Sequence, residues 1–511
     1  MKNLRKGVPA VLLVILLLVP MPALSGGRQG VRQISSYDWS QQNEGTSWAP
    51  RAGLQVVELR NNFFLMGGRT PLDPAIVPVP GASTLWSDVW RSKDLGKTWE
   101  MIRESDSPDV WPARAYFQAL TMKGRMFILG GQNFKLIPNP DPNGPPMIPA
   151  SDFFNDVWSS RDGVHWTQLT EAAPWAGRAG LSAAVFKGAI YVMGGSFNDD
   201  SAIVGGQPAR VYFNDVWKSK DGITWKLLTE AAPWAPRAGG VAVTKGGYLY
   251  MVGGEDGFIC QEGGRCPPYY NDVWRTRNGR DWELVTAEAA WSSRPGHQCV
   301  VLNNHFVLFG GFGLSPDPTN PFLPSNPMDV WVSQDGAKWH QVSDSPWNAV
   351  EPADIKYDFD ALVSRGRGQR PAVFTFGGDR ETFNFFDPEN YLRVDDDVWR
   401  FGPTKNGQWD KSPVGEDVWV VKNLRAAPNP FNPVTSIRFA LRQAEPVQLA
   451  VFDLAGHRVR TLLSGTILGA GEHEAVWDGR NDDGGQAASG KYFYRLDTGT
   501  YSETKSMVLM K

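Results

Sequence analysis

The chain has 511 residues, of which 42% are hydrophobic and 21% charged, with a formal net charge of −3. That composition fits a folded protein of about two to four domains, and it excludes a disordered chain and a strongly basic nucleic-acid binder. Its 54 glycines and 38 prolines favour many short strands and turns over helical bundles, and its 22 tryptophans demand an explanation.

Lys2, Arg5 and Lys6 precede an apolar stretch from Val8 to Val19, followed by Ala23-Leu24-Ser25. Basic, apolar and small residues in that order predict an export signal over residues 1–25. The competing possibility, a membrane anchor, needs about 20 apolar residues.

An internal repeat follows, expected to fill residues 26–422. The triplet Asp-Val-Trp recurs six times, from Asp88-Val89-Trp90 to Asp397-Val398-Trp399, at intervals of 57 to 68 residues. A Gly-Gly pair precedes each triplet, from Gly67-Gly68 to Gly377-Gly378. A second tryptophan follows each one (Trp99, Trp166, Trp225, Trp282, Trp339, Trp409), and a third set lies between units (Trp48, Trp111, Trp175, Trp234, Trp291, Trp347). Apolar runs of five to seven residues, punctuated by Lys187-Gly188 or Asp221-Gly222, read as hairpins. Four strands per unit, six times over, predict a six-bladed β-propeller. Asp38-Trp39 stands before Arg51 as Trp166 stands before Arg178, so the segment Tyr37–Gln41 is expected to join the last blade, with Trp409 competing for that place.

Apolar run, Gly-Gly, long loop, Asp-Val-Trp, short turn and Trp together resemble the kelch repeat and the galactose-oxidase-like propellers. Ser92-Lys93-Asp94-Leu95-Gly96-Lys97-Thr98-Trp99 is similar to the Asp-box of sialidase-like propellers, where that box is a structural turn. The resemblance implies an all-β fold, a six-bladed kelch-type β-propeller followed by a small Ig-like β-sandwich. It leaves open either a binding module or a carbohydrate-active enzyme such as a sialic acid epimerase, sialidase or oxidase.

Strand alternation puts the long connections, such as Gln132 to Asn155, on one face. Long loops on a rigid scaffold make that face the expected binding face. Arg51, Arg114, Arg178, Arg237 and Arg294 stand at the entrances to first strands. Two readings apply to them: a ring favouring an anionic ligand, or internal braces of each blade. The sixth unit departs from the pattern with Tyr357-Asp358-Phe359-Asp360, which makes the expected site acidic and asymmetric there. Trp86, outside the three tryptophan sets, is the remaining aromatic candidate for ligand binding. Cys260 and Cys266 bracket a glycine-rich loop and are a disulfide candidate or two free thiols, whereas Cys299 sits in an apolar run. The six histidines show no ligand spacing, so neither a metal nor another cofactor is expected, and no catalytic residue is assigned.

Residues 423–434 are rich in proline and read as a linker. Period-two strands resume over 435–511, for example Thr435–Phe439 and Val447–Phe452. Pro428-Asn429-Pro430-Phe431-Asn432-Pro433, Phe452-Asp453-Leu454-Ala455-Gly456 and Ser489-Gly490-Lys491-Tyr492-Phe493-Tyr494 resemble the type A sorting domain of type IX secretion cargo, and equally the Ig-like domain of a flagellar hook-capping protein. For sorting cargo this implies export across both membranes of a Gram-negative bacterium, with the secretion machinery as partner. The expectation is therefore a secreted or cell-surface propeller that binds glycan or protein on its long-loop face, with an enzyme as the alternative. Neither nucleic acid nor a stable membrane span is expected.

Overall fold

The computed structural model describes residues 30–31, 33–43, 46–72, 82–107, 111–139, 147–197, 211–257, 268–313, 329–345, 356–366, 369–380, 392–403, 421–429, 431–441, 444–453, 457–469, 471–498 and 502–510. The chain divides into two compact units, one ending at Gly407 and the other beginning at Gln408.

Six four-stranded antiparallel sheets build the first unit. Their innermost strands are Gln55–Leu59, Gln118–Met122, Ser182–Phe186, Val241–Lys245, His297–Leu302 and Asp360–Ser364, for blades 1 to 6. Each packs beside the next, and the sixth packs beside the first. The result is a closed six-bladed β-propeller, an arrangement that leaves only short, protected sheet edges.

Local chemistry sets the strands. In five blades a two-residue turn joins the first and second strands, at Arg60-Asn61, Lys123-Gly124, Lys187-Gly188, Gly246-Gly247 and Asn303-Asn304. Both residues of each turn have positive φ, as the hairpin turn matching strand twist requires. The third and fourth strands are joined by a side-chain-locked turn. In blade 2, Ser160 Oγ accepts from Gly163 N–H at 2.8 Å, Asp162 accepts from His165 N–H at 2.9 Å, and the Trp166 indole donates to Gly163 O at 2.9 Å. Burial pushes the Asp162 carboxyl up, but the His165 ring, the His165 and Val164 N–H groups and the Ser160 hydroxyl outweigh it and hold its pKa at about 2. Its role in the turn accounts for the likeness to an Asp-box.

Apolar burial lies between blades rather than in one centre. The seam between blades 1 and 2 encloses Val57, Phe64, Met66, Trp111, Phe117 and Ile128. There Trp111 meets Trp166 edge-on at 6.2 Å. The pairs Trp48–Trp99, Trp175–Trp225, Trp234–Trp282 and Trp291–Trp339 repeat that contact at 5.8 to 6.3 Å.

The N-terminal strand Tyr37–Asn43 pairs antiparallel with Val394–Pro403 and becomes the outer strand of blade 6. Trp39 stacks on Phe401 at 5.0 Å and meets Phe309 at 5.6 Å, in the core between blades 5 and 6. This is the closure expected of Tyr37–Gln41; Trp409 lies outside the described residues.

The second unit is a two-sheet sandwich. Val421–Ala427, Thr435–Leu441 and Gly471–Trp477 form one sheet, and Arg458–Leu468, Glu445–Phe452, Gly490–Asp497 and Ser502–Leu509 the other. Trp477, Phe439, Leu449, Val451 and Leu496 are buried between them. Two expected boundaries are corrected. Residues 423–434 are not a linker: Val421–Ala427 is a paired strand of the sandwich, and Phe431, 2% exposed, bridges to Leu509. The propeller therefore does not reach residue 422. The prolines interrupt the strand ladder, but Leu424 and Phe431 still anchor the segment in the core.

Candidate functional site

Each of the five repeated arginines is 0–1% exposed. Arg114 Nη1 and Nη2 clasp Asp156 Oδ1 and Oδ2 at 2.6 and 2.9 Å. Its Nη1 also donates to Gly130 O at 2.8 Å and its Nε to Pro112 O at 3.0 Å. Arg51–Asp88, Arg178–Asp215, Arg237–Asp272 and Arg294–Asp329 repeat the clasp at 2.5 to 2.6 Å. The same aspartates also accept the indole N–H of Trp90, Trp158, Trp217 and Trp274 at 2.7 to 2.8 Å. The reading of these arginines as a ligand-facing ring is corrected: they are internal braces, neutralised and enclosed within their own blades.

Trp86 packs against one of these braces. Its ring lies 4.7 Å from the Arg51 guanidinium and its indole donates to Thr70 Oγ1 at 2.9 Å. Phe154, Phe213 and Tyr270 cover Arg114, Arg178 and Arg237 in the same way at 3.9 to 4.0 Å. All four stand two residues before the brace aspartate. In blade 6, Lys356 replaces the arginine and Asp395 replaces the aromatic residue; Lys356 Nζ bonds Asp395 and Asp397 at 2.6 Å each. Cys260 and Cys266 lie outside the described residues, and Cys299 is a buried free thiol whose pKa burial pushes up.

The central channel encloses about 410 Å³. Two residues past each brace cation, a backbone belt rings its mouth. Gly53 N–H donates to Asp358 O at 2.8 Å, Tyr116 to Gly53 at 3.0 Å, Gly180 to Tyr116 at 2.9 Å, Gly239 to Gly180 at 2.9 Å, and Asp358 to Gly296 at 3.2 Å. All six belt residues have φ between 51° and 62°. Glycine adopts that conformation freely, while Tyr116 and Asp358 hold it at a cost of roughly 1–3 kcal/mol each.

One of these exceptions, Tyr116, takes part in the only belt-side cation-to-phenol bond among the described residues. Arg69 Nε donates to Tyr116 Oη at 2.6 Å, and Arg69 Nη2 is ion-paired to the buried Asp379. Because Arg69 supplies the donor, the phenol proton stays available for another acceptor. Burial pushes the Tyr116 pKa well above the usual tyrosine range, and the Arg69 charge pulls it back only partly. The Asp358 carboxylate lies over Gly296, and Glu255 stands beside Gly239. With Arg69 offset by Asp379, the mouth keeps acidic character. Sequence reasoning reached the acidic edge at Asp358 but missed Arg69, Tyr116 and Asp379. The available clue was Tyr116 in a position held by glycine in four other blades.

Below the mouth, Asp360 accepts from Val56 N–H at 2.5 Å and Ala361 N–H at 2.8 Å, tying blade 6 to blade 1. Burial raises its pKa to about 7 despite those two donors. Burial and the Arg294 charge lower His297 to about 4.

Two stability predictions follow from this geometry. Asp156→Ala leaves a buried guanidinium unpaired and should cost about 3–5 kcal/mol in denaturant unfolding, with most of the loss recovered in Arg114→Met/Asp156→Leu. The second concerns pH. Asp360 has a folded pKa above the unfolded value of about 3.9, so its contribution is complete below pH ~4 and is lost as pH rises through 7. Relative to Asp360→Asn, the wild-type protein should lose up to about 4 kcal/mol between pH 4 and 7. His297 is common to both proteins and cancels in the difference. A flat difference across that range would contradict the assignment.

Residues 432–501 match the family described as the FlgD Ig-like domain. Over 283 residues, 52% of the chain, the sequence is 23% identical to the dynein alpha chain of the flagellar outer arm from Chlamydomonas reinhardtii, and it spans 6% of that protein's length. A solved structure titled "Structure of YjhT" aligns at 15% identity with a TM-score of 0.47, covering 66% of this chain and 93% of the other. The C-terminal unit thus contains an Ig-like domain of the FlgD type, while the propeller assignment rests on its own strand order.

Proposed function

We propose that the first unit is a binding module whose ligand sits at the channel mouth on the long-loop face, and that this ligand is a neutral, polyhydroxylated molecule such as a glycan. The observation that carries the proposal is the departure of Tyr116 and Asp358 from the glycine belt. Both hold an unfavourable backbone conformation, and both line the channel, Tyr116 bonded to Arg69 and Asp358 over Gly296. Strain retained at the mouth of a cavity is a mark of selection for something other than stability. A phenol donor and a carboxylate acceptor suit hydroxyl groups. The anionic ligand expected from the five arginines loses its basis, because each of them is neutralised internally. The kelch-like repeat pattern is consistent with this use of the fold.

A second reading, an enzyme acting on a sugar, draws on the same tyrosine. A phenol bonded to Arg69 and flanked by Asp358 has the elements of a proton-transfer pair. Binding without turnover in the experiment below favours the module.

Asp358→Gly restores the belt glycine. It should leave unfolding stability equal or slightly raised, and weaken glycan binding at least about tenfold on a glycan array or by calorimetry. Unchanged binding would refute the site.

We further propose export and delivery to the surface of a Gram-negative cell through the C-terminal unit, supported by the FlgD-type match and the sorting-domain resemblance. Deletion should begin at Val421, since that strand belongs to the sandwich. Loss of residues 421–511 should keep the propeller inside the cell, and surface delivery of the truncated chain would refute the route.

A further inference from the structure

The belt has one break. Five of its six inter-blade bonds are made; between blades 4 and 5 the Gly296 N–H and the Gly239 C=O make no hydrogen bond among the described residues. A methyl group built on Gly180 would lie 3.4 Å from the Gly239 nitrogen, whereas one on Gly239 would lie 3.9 Å from the Gly296 nitrogen. The seam is therefore wider there than its neighbour.

Pro295 accounts for the break. In blades 1 to 4 the residue after the brace arginine is alanine, and its N–H donates to the residue following Gly-Gly: Ala52 to Arg69, Ala115 to Gln132, Ala179 to Ser196 and Ala238 to Glu255, at 2.9 to 3.0 Å. Proline has no N–H to give. Blade 5 loses that donor and keeps only the reciprocal bond from Phe312 N–H to Pro295 O at 3.0 Å, and its brace loosens too: Arg294 Nη1 reaches Gly310 O at 3.4 Å, against 2.8 to 3.1 Å in blades 1 to 4.

Both open groups line the channel, flanked by the Asp358 carboxylate and Glu255. A donor and an acceptor just too far apart to bond each other are matched by one atom that accepts from the first and donates to the second. A hydroxyl does both; a carboxylate can only accept and an ammonium only donate. We propose that the gap between Gly239 and Gly296 is a hydroxyl-docking notch. It takes one hydroxyl of a neutral sugar whose other groups face Tyr116 and Asp358. This rests on the glycan reading above and adds the point of attachment that orients the ligand.

The test uses the full chain and a panel of neutral methyl glycosides (glucoside, galactoside, mannoside), read by saturation-transfer NMR. The tightest binder is then compared with its single-deoxy derivatives. One deoxy position should weaken wild-type binding about tenfold, because it leaves the notch's two backbone groups unpaired. Pro295→Ala restores the missing donor; it should weaken the parent sugar to the level of that deoxy analogue and abolish the difference between the two. Hydrogen exchange at Gly296, fast in the wild type and slowed by the sugar, should be slow in Pro295→Ala without sugar. If sugars bind but Pro295→Ala discriminates the deoxy series as the wild type does, the notch is overturned and the glycan site stands. If Gly296 exchange is slowed by no sugar, the gap holds structural water only, which also overturns it. If no glycoside binds at all, the glycan reading itself fails and the notch with it.

Discussion

A guanidinium cannot be buried unpaired, and this propeller is organised around that prohibition. Each brace arginine is placed at the root of a blade, where water is excluded, so a carboxylate must arrive from the third strand to meet it. Burying such a pair costs several kcal/mol per ion before the attraction and the extra bonds repay it. The geometry accordingly leaves little unmet. One aspartate satisfies two guanidinium nitrogens and an indole, while the arginine also holds the Gly-Gly carbonyl and lies under an aromatic ring. Asp, Trp, Gly-Gly and Arg therefore recur together, because omitting one member leaves another exposed to the desolvation penalty. Blade 6 shows the same rule by exchange. With lysine in place of arginine there is no planar face to cover, and a second carboxylate stands where the aromatic ring would be.

What the braces fix, the departures from them use. Four of six belt positions are glycine, and there the fold dictates the residue. At Tyr116 and Asp358 the backbone conformation stays the same while the side chain changes, so the ring keeps its hydrogen bonds and bears local strain in return for polar groups at the channel mouth. Pro295 departs in the opposite sense, keeping the brace but removing a donor.

The strands, the six-fold repeat and the closing role of the N-terminal segment were legible in the sequence because local chemistry sets them: two-residue turns, Asp-Gly turns and a displaced copy of the fourth strand. The role of the arginines was not. Arg114 and Asp156 are 42 residues apart, and only the folded blade brings them together. Five repeated cations look alike on paper whether they face solvent or carboxylates. The packing of Trp86 is hidden for the same reason, since its partner Arg51 lies 35 residues upstream in a register shared by phenylalanine and tyrosine, which a search for tryptophan does not see. The proline-rich segment before residue 435 misled in another way. Proline removes ladder bonds but not side-chain burial, and Leu424 and Phe431 are held by the latter.

Blade 6 joins closure to the proposed binding site. Its outer strand comes from the N-terminus, its inner strand is tied to blade 1 by Asp360, and its belt residue Asp358 both accepts from Gly53 across the same seam and presents a carboxylate to the mouth. The seam that shuts the ring is thus the one whose side chains would touch the ligand. A ligand that bonds Asp358 of blade 6 and Tyr116 of blade 2 reaches across the seam between blades 6 and 1, so its contacts exist together only while the ring is closed. Mass action then requires its binding to stabilise closure by the same free energy with which closure favours binding. The strain at Asp358 and Tyr116 lowers the stability of the free protein, and the proposed ligand would offset it by favouring closure where the two ends of the propeller meet.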